Sequence, residues 1–423
     1  RSQIRNVISA YNDKRHIGDE ETVLAKIVSD LDVLNIHRTP LNCITLLKIA
    51  EKHFDESPVN RTKLLEMVLD LLFNADGIPK YKARPDLKDC EYVLGRFCEQ
   101  MIRSGIYNFS RQDFLKELTK FCNEKLIDLE IDTVFDTLFL NNIIIKRHAN
   151  YSFRFSYWVY YFAAQRMHSD AEFASYIFDQ ERYASYPEIV EFYTGIDRRR
   201  EDALKIMLRD MKLSCDTVNT KVNLPANMNP YDLLQWQPTD DDITKMKDKI
   251  SEDVLKSNLP VAIKDRYADR LYDQIKPYDQ TIRQIFHEFS LAMLMQNIKA
   301  ASRALRNSDY VSPEIKRELL HEIMRAWSQV AKVVIALAPL LATRGHAVFE
   351  GIDFILEEGH GELLEEKLVS ILCSAPFAVV NMFKDNLSSN KIGPLLFDYI
   401  NKEDDQLKKH QMILMLAMER PRE

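Results

Sequence analysis

The chain has 423 residues, of which 46% are hydrophobic and 29% charged, an ordinary balance for a globular protein with a sizeable core. A net charge of −7 and a sequence pI near 5.9 exclude a general electrostatic attraction to nucleic acid. Only 10 residues are glycine, far below the usual share of about 7%. Because glycine serves tight turns, its scarcity predicts a mainly α fold. We expect a helical bundle with a small winged helix, followed by a long helical array.

The six cysteines are scattered inside apolar runs, without a C-x-x-C pair or a paired Cys/His spacing; they are Cys43, Cys90, Cys98, Cys122, Cys215 and Cys373. We therefore expect free thiols in a reducing compartment, the cytoplasm, and neither a disulfide nor a zinc site. The most apolar run, residues 333–342, is far shorter than the ~20 residues of a membrane span. No signal peptide and no membrane contact are predicted.

The first domain is predicted at residues 1–86 and is helical by period. Apolar residues recur with the spacing of one helix face at Leu24, Ile27, Val28, Leu31 and Leu34. Thr39-Pro40 is a favourable helix start, and Asn60 is positioned to cap the next helix. The sequence begins at Arg1 rather than Met, which we interpret as the start of an excerpt from a longer chain.

The pattern changes over residues 87–168, where we predict a winged helix. Ser110 and Asp113 open one helix, and a second helix is expected at 131–140. Two short β-branched or alternating runs then follow at 143–147 and 151–155 around a turn. Helix, helix and two-stranded wing is the order of a winged helix. These are the only strands that the sequence predicts.

The rest of the chain is predicted to be helical, with a linker region at 169–238 and a terminal domain at 239–423. The boundary is a loop rich in Asn and Pro that ends at Pro238 and is followed by three aspartates. Terminal helices are expected at 279–306, 312–342, 362–373, 376–387 and 406–418.

No candidate for catalysis survives inspection of the motifs. The sequence lacks a G-x-x-x-x-G-K-[ST] phosphate loop. His321-Glu322 opens like H-E-x-x-H, but Arg325 stands where the second histidine is needed, so a surface helix is favoured. Arg198-Arg199-Arg200 is followed by Glu201, which is typical of a solvated helix start rather than a phosphate site.

Acidic and imidazole side chains also crowd the stretch from Gly345 to Gly361: His346, Glu350, Glu357, Glu358, His360 and Glu362. Such oxygen and nitrogen ligands suit a metal ion. No motif spacing supports one, and an acidic surface has the same composition, so no metal site is predicted.

A predicted winged helix makes DNA binding a candidate function, because folds of this kind place a recognition helix in the major groove. The recognition helix would be 131–140, which carries Asp132 and Asp136 but no Arg or Lys. The basic residues Lys146, Arg147 and Arg154 lie only on the wing. Phosphate contacts need cations, so a protein-packing winged helix is favoured and nucleic acid is not expected as a partner.

Two stretches together resemble STAND-type, NACHT-like NTPases. The run Tyr151–Phe155 through Tyr160–Ala164 is similar to the end of the winged helix in that family. The runs Asn35–Leu41 and Pro58–Leu65 resemble its helical lid domain. The order of lid, winged helix and long helical sensor also matches, and the resemblance covers residues 1–165.

The resemblance implies where nucleotide contacts would lie. The family's phosphate-binding core precedes the lid, which would account for the missing phosphate loop. A lid proline packs near the adenine, and Pro40 is the matching position. The winged-helix histidine that approaches the phosphates is matched by Phe155, which cannot donate a hydrogen bond, so Arg154 is the remaining candidate. No cofactor is expected in these residues, and ATP or ADP only in the parent chain.

The resemblance also implies a function: the regulatory, ligand-sensing portion of a signalling NTPase that switches and assembles on recognising a trigger. Bacterial members often serve antiviral defence. The implied partners are a protein trigger, an upstream nucleotide-binding domain and further copies of the chain. A stand-alone helical scaffold and a winged-helix DNA-binding regulator stay open as alternatives.

The residues themselves predict a protein-facing groove after residue 240. Aromatic and methionine side chains recur there: Phe286, Phe289, Met293, Met295, Trp327, Phe377 and Phe383. Most should be core, with a minority left exposed as a partner surface.

Overall fold

The computed structural model describes residues 2–15, 17–33, 40–52, 58–73, 85–222, 289–356 and 361–419. The chain forms two compact units. Unit 1 consists of Arg1–Ile177 and Glu188–Arg198, and unit 2 consists of Phe178–Pro187 and Arg199–Glu423. The described residues are mainly helical, as the composition predicts, with two small two-stranded sheets.

Unit 1 is built from helices and one hairpin. In chain order these are α1 Ser2–Asn12, α2 Glu20–Val33, α3 Pro40–Lys52, α4 Arg61–Phe73, α5 Leu87–Ser104, α6 Arg111–Lys125, α7 Ile131–Leu140, β1 Ile144–Arg147, β2 Asn150–Phe153, α8 Ser156–Ser169, α9 Ala171–Phe178 and α10 Pro187–Ile196. Helices α1 to α3 pack on one another through a core that includes Ile8, Leu24, Ile27 and Leu47.

Local capping signals set several helix starts. The amide of Lys63 donates to Asn60 Oδ1 at 2.8 Å, so the predicted cap of α4 is confirmed. Ser110 and Asp113 form a reciprocal capping box at the start of α6. Pro40 is the first residue of α3; its predicted partner Thr39 lies outside the described residues.

The predicted helix 131–140 and both predicted strands are confirmed within two residues at each end. Strands β1 and β2 are antiparallel, with Ile144 opposite Phe153 and Arg147 opposite Asn150. One further bridge joins Phe109 to Tyr151, which the sequence did not predict. Helices α5, α6 and α7 and the hairpin share an aromatic core, in which Phe114 contacts both Phe97 and Phe135 with ring centroids 4.9 and 5.2 Å apart.

Unit 2 contains a 3₁₀ segment at Asp179–Ser185 and then helices with a second hairpin. These are α11 Glu201–Val222, α12 Ser290–Asn307, α13 Pro313–Arg344, β3 His346–Phe349, β4 Ile352–Ile355, α14 Leu364–Leu387, α15 Gly393–Lys402 and α16 Gln406–Glu419. Helix α13 packs on α11, α12 and α14, so it is the central helix of the unit. The predicted boundary at residue 239 lies outside the described residues.

The hairpin β3–β4 corrects the prediction that 143–155 holds the only strands. Its two turn residues, Glu350 and Gly351, have φ values of 44° and 83°. Positive φ at both central residues is the geometry of the tight hairpin turn that matches strand twist. The acidic composition of the stretch predicts a surface and gives no strand signal, whereas the Glu350-Gly351 pair forms the turn.

Helix α14 corrects a second prediction, of separate helices at 362–373 and 376–387. It runs unbroken through Pro376. A proline inside a helix lacks an N–H and costs about 3 kcal/mol. Here Ala375, Pro376 and Val379 are buried against the rest of the unit, and this packing keeps the helix continuous.

Two of the described helices, α13 and α14, are long and apolar enough to span a membrane by length and composition. The apolar window of α13 is 83% buried, as in a core helix, whereas that of α14 is 44% buried. The solvent side of α14 includes Val369, Phe377 and Met382, each 40% exposed or more. By contrast Phe289, Met293, Met295, Trp327 and Phe383 are buried, and Phe286 lies outside the described residues.

Candidate functional site

Pro40 and Arg154, the two residues expected to contact nucleotide, both lie in unit 1 and are exposed. Pro40 is at the first turn of α3. Arg154 follows β2, and its amide donates to the carbonyl of Ile143 at 2.8 Å. Among the described residues, no hydrogen bond, ion pair or ring contact joins Pro40 to Arg154. The structure therefore does not bring the two residues together.

Arg154 instead lies on an aromatic stack at the start of α8. Its guanidinium carbon is 5.3 Å from the centre of the Phe155 ring. The rings of Phe155 and Tyr157 are stacked, with centroids 5.3 Å apart and planes within 10°. Guanidinium groups and aromatic faces attract one another in this arrangement. The Phe155 ring thus packs against the guanidinium of Arg154.

A second arginine, Arg61, is close enough to Tyr157 to act on its ionisation. Burial raises the pKa of Tyr157 to about 12, against the opposing positive charges of Arg61 and Arg154. Arg61 is the first residue of α4, and its charge acts on Tyr157 from there. The exposed guanidinium of Arg154 beside a flat aromatic surface suits an anionic or planar ligand, whereas Arg61 is already paired with the buried Glu191. The sequence did not single out Arg61.

Helix α4 is fixed to α10 by a small set of contacts, here named the α4–α10 junction: Asn60, Arg61 and Thr62 with Glu191 and Gly195. An Arg61 guanidinium nitrogen lies 3.0 Å from a carboxylate oxygen of Glu191, whose side chain is 1% exposed. Asn60, while capping α4 with its oxygen, donates from Nδ2 to the carbonyl of Gly195 at 3.2 Å. The junction therefore pairs a buried charge and a helix cap.

The junction also depends on the absence of a side chain at Gly195. A Cβ atom built there would lie 2.1 Å from Thr62 Oγ1 and 3.0 Å from Thr62 Cβ. Thr62 is 4% exposed, and its hydroxyl has no hydrogen-bond partner among the described residues. On its other side α10 is fixed to α8, because His168 Nε2 lies 2.9 Å from the carbonyl oxygen of Tyr193 and their rings stack.

A polar network links α4, α5 and α8 next to this junction. The buried carboxylate of Glu91 accepts hydrogen bonds from the Tyr161 hydroxyl and, at 2.8 Å, from Lys88. Lys88 also donates to Glu66 at 2.9 Å, as does Lys63. Burial by itself would raise the pKa of Glu66, but the hydrogen bonds from the two lysines outweigh it and lower the pKa. Burial and the nearby Glu91 charge raise the pKa of Tyr161.

A cavity of about 520 Å³ lies where α4, α5, α8 and α10 meet, within unit 1. Asn60, Thr62 and Gly195 of the α4–α10 junction line one side, and Tyr161 and Gln165 line another. The lining lysines, Lys63 and Lys88, both donate to Glu66, so their charges are compensated.

The other sequence candidates do not converge. Glu322 is paired with Arg325 on α13 at 3.1 Å, whereas the side chain of His321 is 52% exposed. Glu350 is buried in the β3–β4 turn, and His346 is exposed on β3. Residues 357, 358 and 360 lie outside the described residues, and within the described ranges no three acidic, histidine or cysteine residues are grouped as a metal would require.

The face of α7 that would approach DNA is occupied by an ion-pair cluster. Arg111 donates to Asp132 at 3.1 Å and to Asp136 at 2.9 Å. On β1, Lys146 lies 5.7 Å from the centre of the Tyr151 ring. Arg200, from the basic triplet, pairs with Asp202 at 2.7 Å at the start of α11. These pairings agree with solvated helix surfaces.

Comparison with known proteins connects this region to one group of NTPases. A family model described as Novel STAND NTPase 4 matches residues 107–163. The matched stretch begins just before α6 and ends within α8, so it contains the hairpin, Arg154 and the aromatic stack, but not Pro40. The match supports a relation to STAND-type NTPases. No curated protein and no solved structure matches the chain.

Proposed function

We propose that this chain is the lid, winged-helix and helical sensor portion of a STAND-type signalling NTPase. In this proposal α1–α4 are the lid, α5–α8 with the hairpin are the winged helix, and unit 2 is the sensor. The chain acts on an upstream nucleotide-binding domain, recognises a protein trigger and assembles with further copies on activation. The cytoplasm and antiviral defence are the proposed setting, on resemblance alone.

The family match over 107–163 carries this proposal. It covers α6, α7, the hairpin and the first part of α8, and the order helix, helix and hairpin is that of a winged helix. Helix α4 packs on α5, the first helix of the proposed winged helix, as a lid would. Within the described residues, Glu66, Glu91 and Glu191 take part in hydrogen bonds and ion pairs that hold helices of unit 1 together.

The mechanism follows from the contacts of α4 and α8. The Arg154 guanidinium lies over the Phe155 ring at the end of the hairpin, and the charge of Arg61 acts on the neighbouring Tyr157. An anionic nucleotide held by an upstream domain would be favoured there by the exposed Arg154, whereas Arg61 is paired with Glu191. A trigger bound by unit 2 would shift the population away from that arrangement by binding the other state more tightly.

The experiment measures nucleotide bound to the full-length protein as purified, by extraction and chromatography. Pro40→Asp and Arg154→Ala should each reduce retained ATP or ADP several-fold. Pro394→Asp is the matched control, because Pro394 is also exposed in the first turn of a helix. Lys146→Ala is the control for Arg154, because it removes a wing cation that also lies over a ring.

The 423-residue chain alone should bind ATP or ADP weakly or not at all, because it lacks a phosphate loop. Calorimetry that gives micromolar affinity for this chain would contradict the division of labour between it and an upstream domain. If Pro40→Asp and Arg154→Ala both retain as much ATP or ADP as their controls, Pro40 and Arg154 do not contact nucleotide. The stand-alone scaffold would then be the better reading.

A further inference from the structure

We propose that α10 is a latch for the lid helix α4, and that Gly195 sets how closely the two helices approach. The proposal rests on the proposed function in taking α1–α4 as a lid. It goes further by naming the contact that holds the lid and the helix that releases it.

The position of α10 along the chain gives it this role. Residues Glu188–Arg198 belong to unit 1, although the segments on both sides, Phe178–Pro187 and Arg199 onwards, belong to unit 2. Helix α10 therefore belongs to unit 1 but is joined at both ends to segments of unit 2. It packs on α4, in the lid, and on α8. A displacement of either flanking segment reaches α10 through the covalent chain.

The segment before α10 is firmly held within unit 2. Asn297 donates to Glu181 at 2.6 Å, and the buried Tyr183 donates to Asp210 at 3.0 Å. Gln180 and Glu181 both have a φ of 53°, an uncommon conformation for residues other than glycine. Such outliers persist only where surrounding contacts hold them. The chain that leads into α10 is therefore fixed at Glu181 and Tyr183 by contacts within unit 2.

The contacts that hold α4 to α10 are specific, as a releasable latch requires. Among the described residues they include the Arg61–Glu191 ion pair, the Asn60–Gly195 hydrogen bond, the close approach of Thr62 to Gly195, and the Arg61 guanidinium 5.7 Å from the centre of the Phe192 ring. The 520 Å³ cavity beside them means that separating the helices displaces few packed side chains. Elements of this kind open locally without global unfolding.

Hydrogen–deuterium exchange of the 423-residue chain, without nucleotide, tests the latch. Gly195→Ala places a methyl group where Thr62 Oγ1 lies, so peptides from α4 should exchange about tenfold faster, the effect expected of overpacking at a close helix contact. Peptides from α5 should not change. Gly18→Ala is the matched control, because a Cβ there meets only Val23, at 3.8 Å.

A second substitution distinguishes the latch from general destabilisation. Thr62→Ala removes the hydroxyl that the new methyl group meets, and that hydroxyl has no hydrogen bond to lose. In the Gly195→Ala background it should return α4 exchange to within about threefold of wild type, since relieving overpacking restores the contact. Additive acceleration in the double variant would overturn the role of Gly195.

Glu191→Gln tests the ion pair independently and keeps the side-chain volume. It should accelerate α4 exchange, whereas Glu201→Gln, which disrupts the exposed pair with Lys205 on α11, should not. Unchanged α4 exchange in both Glu191→Gln and Gly195→Ala would overturn the proposal. Because no nucleotide is present, the exchange results are independent of the nucleotide-retention test. Unchanged α4 exchange would overturn the latch even if Pro40→Asp and Arg154→Ala lower retention. Unchanged retention would overturn the nucleotide assignment even if the α4 exchange rates change as expected.

Discussion

The Nζ atom of Lys221 lies 2.7 Å from Oε2 of Glu350, a residue 129 positions further along the chain. The same oxygen accepts hydrogen bonds from the amide of Ser290 at 2.9 Å and from its hydroxyl at 3.0 Å. One carboxylate, 4% exposed, therefore joins the last turn of α11, the first turn of α12 and the turn of β3–β4. A negative charge at a helix start is also favoured by the helix dipole.

Glu350→Ala should lower the free energy of unfolding of unit 2 by about 2–3 kcal/mol, because a buried charged acceptor and a helix cap are lost together. The value lies below that of a fully buried pair because Lys221 is 37% exposed. Urea denaturation measures it, with Asp404→Ala, in the exposed loop before α16, as the control. Equal midpoints for the two variants would show that Glu350 does not hold the three elements.

Gly351→Ala should destabilise unit 2 more than Gly345→Ala does. Both glycines have positive φ, 83° and 74°, so both alanines incur backbone strain of about 1–2 kcal/mol. Only at Gly351 would the new Cβ meet other atoms closely, at 2.8 Å from Phe289 Cβ and 3.0 Å from Ala292 Cβ. The additional overpacking should cost about 1–3 kcal/mol. Thermal denaturation of the two variants side by side gives the difference, and identical shifts would contradict it.

The stability of unit 1 should fall between pH 10 and 12 partly through Tyr157. The pKa of this phenol is about 12 in the folded chain, against 10.0 as its ordinary value, because burial disfavours the charged form. Between these values the unfolded chain binds fewer protons than the folded chain, so stability decreases as the pH rises. Below pH 10 Tyr157 adds no pH dependence.

Urea midpoints recorded across this alkaline range measure the effect. Tyr157→Phe should make the decline shallower, whereas Tyr310→Phe, at a tyrosine that is 65% exposed, should leave it as in wild type. A slope in Tyr157→Phe as steep as that of the wild type would indicate that this phenol ionises equally well in both states.

Duplex DNA should not bind tightly. On α7 the aspartates Asp132 and Asp136 are the groups that would face phosphates, and they already engage Arg111. A titration at ~50 and ~200 mM salt distinguishes the alternatives, because phosphate contacts weaken steeply over this range. Tight binding that disappears at the higher salt would favour the winged-helix DNA regulator over the sensor.

Local signals account for what the sequence predicted well. Asn60 and the Ser110–Asp113 box are caps that act within three residues, so the starts of α4 and α6 follow from the sequence alone. The limits of α7 agree with its apolar period, and β1–β2 with its alternation around a turn.

The features that the sequence did not predict depend on contacts between residues far apart in the chain. Arg61 meets Glu191 across 130 positions, and nothing in either local sequence indicates the pairing. Likewise the burial of Pro376 keeps α14 continuous where local rules predict a break. Gly195 is not part of a turn and does not have a positive φ. It matters because it lets α10 approach Thr62 of α4 closely, and this contact exists only when the two helices are packed.

The thiols differ in a way that makes the chain convenient for spectroscopy. Cys43, Cys90, Cys98, Cys122 and Cys215 are buried, and only Cys373, on the solvent side of α14, is exposed. Burial also raises the pKa of Cys90 and Cys98, which keeps them as unreactive thiols. A maleimide dye added to the unmodified protein should thus attach at one position of unit 2. Its fluorescence would report on partners that cover α14 without any engineered cysteine.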